Sequence, residues 1–97
     1  MSLTGAMNSA VSAMQAQSSA LSIISNNLAN VSTTGYKASS ASFSSLLTSG
    51  DANSSSGGVT VAKSQNILAS GTLVSSSIST NIAIDGDGFF AVTTGDG

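Results

Sequence analysis

Leu3, Met7, Ala10, Met14, Gln17, Leu21, Ile24, Leu28 and Val31 recur in alternating steps of four and three. That spacing sets side chains along one seam of a helix, and it is sustained here over about four heptads with the polar Gln17 as its one break. Proline is absent and Gly5 is the only glycine before Gly35, so nothing inside the stretch interrupts a helix. A helix over residues 3–30 would be ~42 Å long at ~1.5 Å per residue. Its expected stop is Ser32-Thr33-Thr34-Gly35, because Gly35 can take the left-handed conformation open to few other residues. Residues 1–31 thus form a first segment, built for helix–helix packing.

The other faces of this helix are unusual. A solvated coiled coil places Glu and Lys off its seam, yet the first 36 residues carry no charged side chain. Alanine, serine, threonine, asparagine and glutamine fill those positions, with Val11 and Ile23 among them. Small neutral side chains let other backbones come close. The helix is therefore expected to be enclosed on several sides, as in a fibre, rather than to cover one small core.

Residues 32–58 form a turn and linker. Phe43, Leu46 and Leu47 make its only apolar cluster, which suits a helical turn or an extended anchor, and Ser49 to Gly58 is a polar Ser/Gly-rich loop. From residue 59 the period changes. Val59-Thr60-Val61 and Asn81-Ile82-Ala83-Ile84 alternate as strands do. Asp85-Gly86-Asp87-Gly88 then precedes Phe89-Phe90-Ala91-Val92, an Asp-Gly turn signature that predicts a hairpin over about 81–94. The expected fold class is α+β: a long N-terminal coiled-coil-type helix, an extended linker, then a small β-rich region, 59–97, with a C-terminal hairpin. With only four aromatic residues and no Trp or Cys, this is not an autonomous globular domain but a chain stabilised by neighbours.

The same composition excludes several functions. Lys37 and Lys63 are the only cations against Asp51, Asp85, Asp87 and Asp96. Two lysines cannot neutralise a phosphate backbone, so no nucleic-acid partner is expected. No apolar run reaches the ~18–20 residues of a membrane span, so no membrane insertion is expected, and the N-terminus, with neither a basic region nor a solid apolar stretch, is not expected to be a cleavable secretory signal. Without His or Cys the usual catalytic base and nucleophile pairs are missing. Asp85, Asp87 and Asp96 fall at the first, third and twelfth positions of an EF-hand-like loop, but Phe90 stands where that loop needs glycine. No enzyme activity, metal or cofactor is expected.

Two motifs carry a family resemblance. Ser25-Asn26-Asn27-Leu28-Ala29-Asn30-Val31-Ser32-Thr33-Thr34-Gly35-Tyr36-Lys37 closely resembles the N-terminal signature of the flagellar rod and hook proteins. Ile84-Asp85-Gly86-Asp87-Gly88-Phe89-Phe90-Ala91-Val92 is similar to a second motif of that family, a Gly-rich turn followed by a Phe pair. The resemblance implies a subunit that polymerises with itself into the tubular hook joining rod to filament. It also implies export through the flagellar type III apparatus without signal cleavage. It implies, too, a seam (Leu3, Met7, Met14, Leu21, Ile24, Leu28, Val31) that pairs with a C-terminal helix of a longer polypeptide, and neighbouring rod and hook–filament junction proteins as partners. The Ser/Gly-rich loop before Gly58-Val59-Thr60-Val61 is closer to hook than to distal-rod members, which remain the alternative; a secreted coiled-coil effector or adhesin is a third reading.

The asparagine turn has its own physical reading. Asn26, Asn27 and Asn30 lie on the last turns of the helix, where carbonyls lack intrahelical partners. Their amides can serve those carbonyls or bridge to a neighbouring chain. Three asparagines on adjacent turns exceed what a helix stop needs, so contact between subunits is the expectation, with Gly35 redirecting the chain, Tyr36 packing and Lys37 bringing the first charge.

Overall fold

The computed structural model describes residues 3–47 and 56–96. They form a helix, α1 (Leu3–Ala29), and two antiparallel strands, β1 (Ser39–Leu47) and β2 (Ser56–Gln65), followed by a stretch without helix or strand. The described residues fall into two units divided between Asn66 and Ile67.

In the first unit, α1 stops at Ala29, short of the expected 30–31. Backbone bonds from Val31 N–H to the Leu28 carbonyl (3.3 Å) and from Thr33 N–H to the Asn30 carbonyl (3.0 Å) tighten the exit. Gly35 then turns the chain at φ 77°, the left-handed conformation anticipated for it.

The strands pair from Ser39 opposite Gln65 to Leu46 opposite Gly58, and then Leu47 opposite Ser56, with the register shifting between Leu46 and Leu47. Gly57 is the extra residue of that bulge. Val59-Thr60-Val61 lies within β2 as its alternation indicated. The rest of the hairpin does not follow the sequence expectation. Residues 39–47, read as linker, are a strand, and Phe43, Leu46 and Leu47 are extended. The loop expected over 49–58 lies outside the described residues as far as residue 55, and residues 56–58 open β2.

Directly opposed residues share a face of a sheet, and burial shows which face meets α1. Ser39, Ala41, Val59 and Val61 are half-buried, whereas Ser40, Ser42, Ser44, Thr60, Ala62 and Ser64 are exposed. β2 takes the larger share of the contact with α1. The core so formed is small: Ala16, 4% exposed, and Ile23, 8% exposed, are the only buried apolar side chains among the described residues. Burying Ile23 contributes about 1.5–3 kcal/mol, too little to hold the arrangement by itself.

The second unit corrects one expectation. No strand forms over 81–94, and the chain has a turn at 79–80 and a bend at 85–87. The hairpin of this protein is the one at 39–65. An Asp-Gly pair can reverse a chain, but an isolated pair of strands is marginal without a third strand or a packed face. Here Ile82, Phe89 and Val92 are all exposed, so the alternation of 81–92 finds no packed face within its own unit.

Candidate functional site

The two long faces of α1 are used differently. Half-buried Gly5, Ser9, Ser12, Ala20 and Asn27, together with buried Ala16 and Ile23, lie every three or four residues and run beneath the hairpin. The heptad seam lies elsewhere on the helix. Leu3, Met7, Met14, Leu21, Ile24, Leu28 and Val31 are between 59% and 79% exposed. Six large apolar side chains along α1, with Val31 just past its end, are left uncovered by β1 and β2, which makes this face the candidate interaction surface.

Asn27 holds the base of the hairpin. Its Nδ2 donates to the Ser39 carbonyl at 2.8 Å, while its Oδ1 accepts the Ser39 N–H at 3.1 Å and the Tyr36 hydroxyl at 3.0 Å. The amide thus pairs with β1 as the backbone of another strand would. Asn30 acts more locally: its Nδ2 donates to the Asn26 carbonyl at 2.8 Å and its Oδ1 accepts Thr33 Oγ1 at 3.1 Å. Asn26 lines a shallow groove with Ser18, Ser22, Ile23, Val61 and Lys63. The Lys37 carbonyl accepts Gln65 Nε2 at 3.0 Å, tying the end of β2 to the turn. Contact between subunits was expected of these asparagines. Within the single chain Asn27 reaches β1, beyond what a helix stop needs, whereas Asn30 bonds only around the helix end; contact between subunits stays a proposal.

A second anchor was missed in the sequence. Ser12 Oγ accepts the Val59 N–H at 3.2 Å and donates to the Ser9 carbonyl at 2.8 Å. Gly58 is buried beside it at φ 126°. The available signal was the row of small residues at Gly5, Ser9, Ser12, Ala16 and Ala20, which lets a backbone approach the helix closely.

Asp85, Gly86, Asp87, Gly88, Phe89 and Phe90 lie in the second unit and are exposed, with Gly86 at φ 131°. Gly88 has Ile84 Cγ2 4.0 Å from where its Cβ would stand. The bend does not organise a site. No group of three candidate metal ligands occurs among the described residues, and none of their helices is long and apolar enough to cross a membrane.

Comparison with known proteins gives this geometry a context. A family model described as flagella basal body rod protein matches residues 7–37, the span from the second residue of the seam to the end of the asparagine turn. The flagellar hook protein of Rhizobium meliloti is 44% identical over 98 residues, covering 100% of this chain and 24% of the relative. That of Caulobacter vibrioides is 45% identical over 95 residues, covering 96% and 16%. That of Helicobacter mustelae is 37% identical over 100 residues, covering 88% and 22%. The chain therefore spans at most about a quarter of the length of these relatives. No solved structure gives a significant match. The seam, the asparagine turn and similarity that runs on through the hairpin and beyond agree, and the chain belongs to the flagellar rod and hook proteins.

Proposed function

We propose that the full-length polypeptide is a structural subunit of the bacterial flagellum that polymerises into the tubular hook between rod and filament. The observation that carries this reading is the bare seam of α1. Six large apolar side chains on α1, and Val31 just past its end, are covered by neither β1 nor β2, and they have the heptad spacing that another helix fits. The occupant of this seam, taken up as subunits assemble, is a helix from the C-terminal part of the same polypeptide, and the paired helices then pack with those of further copies. Rod and hook–filament junction proteins are the neighbours at the two ends of such a tube. Export by the flagellar type III apparatus, without cleavage, would bring the subunit to its place.

Hook is favoured over distal rod because the three relatives, similar over 88–100% of the chain, are hook proteins; the family model over residues 7–37 fits either reading. Basal bodies isolated from a strain lacking the full-length protein test this. Complete rods that end without hooks are the expected result. Rods cut short would favour the distal rod, and intact hooks would remove both readings and favour a secreted effector or adhesin.

A further inference from the structure

Among the hydrogen bonds described above, the hairpin meets α1 at Asn27 and at Ser12, and the two do different work. Asn27 pins its base. Ser12 lies four turns away, about 22 Å along the helix axis, where it accepts the Val59 N–H. At that point β2 crosses close to the helix. A Cβ on Gly58 would overlap Ser12 Oγ and stand 3.2 Å from Ser12 Cβ, with Ser9 Cα at 3.9 Å. The φ of 126° disfavours any side chain there as well. A hairpin held only at its base could swing; held also at Ser12 it cannot.

This matters because the face it covers is as free of charge as the seam. Nothing electrostatic would stop a second helix from packing on Ser9, Ser12, Ala16 and Ala20 if the hairpin moved away, and small side chains favour close approach. We propose that Ser12 and Gly58 are positioning residues for assembly: they clamp the hairpin over one face of α1, so that another helix can reach only the seam. The inference rests on the seam reading above and adds what makes that pairing one-sided.

The test uses the full-length polypeptide, freed of any other cysteine, with a reporter thiol placed by Ala16→Cys on the covered face or, in a separate chain, by Leu21→Cys on the seam. Gly58→Ala releases the clamp by overlap and by backbone strain. Ser12→Ala removes the acceptor for Val59 together with a local bond to the Ser9 carbonyl and introduces no strain, which guards against simple misfolding. With the clamp intact, copies should not cross-link through position 16, and the thiol at position 21 should be protected by the C-terminal helix seated on the seam. In Gly58→Ala the thiol at position 16 should react about tenfold faster, the factor equivalent to about 1.4 kcal/mol, and copies should cross-link through position 16. Ser12→Ala should do the same to a smaller extent. A role in stability alone would weaken assembly without ever joining copies through position 16, so the absence of that cross-link in both variants overturns the proposal. Normal tubes from Gly58→Ala would overturn it too. Normal tubes from Leu21→Asp would instead remove the seam reading, and this inference with it.

Discussion

Asn27 and Ser39, twelve positions apart in the chain, are joined by two hydrogen bonds, Nδ2 to the carbonyl at 2.8 Å and the N–H to Oδ1 at 3.1 Å. Ser39 also stands opposite Gln65 in the ladder. The first residue of β1 is therefore held by a strand on one side and by a helix side chain on the other, and the helix end and the hairpin base become one joint.

Asn27→Ala should loosen that joint. It strands the Ser39 N–H and carbonyl and the Tyr36 hydroxyl, all part-buried. A loss of about 2–3 kcal/mol is expected, since each lost partner costs on the order of 1 kcal/mol and the groups are only partly desolvated. Tyr36→Phe removes one bond and should cost about 0.5–1.5 kcal/mol. Denaturant unfolding of the full-length protein, followed by hydrogen exchange in residues 36–47, measures both. Equal costs for the two variants would contradict the central place given to Asn27.

Ile23 and Ile24 are neighbours with opposite exposure, 8% and 59%, and should respond oppositely. Ile23→Ala should destabilise the subunit by about 2 kcal/mol, the low end for such a truncation because the core around it is shallow. Ile24→Ala should leave monomer stability within about 0.5 kcal/mol, as exposed substitutions do, yet lower the yield of tubes. Unfolding curves on monomers and sedimentation of polymers separate the two effects.

Leu21→Asp carries the same logic further. Leu21 is 64% exposed in the single chain, so its replacement should leave the circular dichroism of the monomer unchanged. In a polymer the carboxylate would be buried without a partner, a cost of several kcal/mol. Electron microscopy should then find no tubes. Straight, abundant tubes from this variant would mean that the seam faces water in the assembly.

Gly35 isolates backbone strain from crowding. It has φ 77° and no atom within 4 Å of where a Cβ would stand. Gly35→Ala should therefore cost about 1–2 kcal/mol, the left-handed penalty alone, Gly35→Asn less, and Gly35→Val more. Thermal unfolding of the three variants gives the order, and a Val no worse than Ala would argue that the turn relaxes to negative φ.

The parts of this fold that were legible in the sequence are those set by neighbours a few positions away. The seam from Leu3 to Leu28 and the turn at Gly35 could be read because spacing and a single special residue decide them. Val59-Thr60-Val61 was readable by alternation. β1 was not, because its serines carry little β signal and its stability comes from partners as distant as Gln65 and from the Asn27 amide. The expected hairpin at 81–94 shows the converse: local alternation and an Asp-Gly pair are present, but no surface within their own unit supports them. The role of Asn27 stayed hidden for the same reason, since its partner Ser39 belongs to a strand whose existence was not evident.

The bond from Val59 to Ser12 spans 47 positions of sequence, which fixes an order of events in time. Helix α1 can form within about a microsecond of becoming available, but its clamp does not exist until β2 has been made. At a synthesis rate of about 5–20 residues per second, that leaves an interval of about 2–9 s between the emergence of Ser12 and that of Val59. During those seconds the nascent helix offers two sticky sides rather than one.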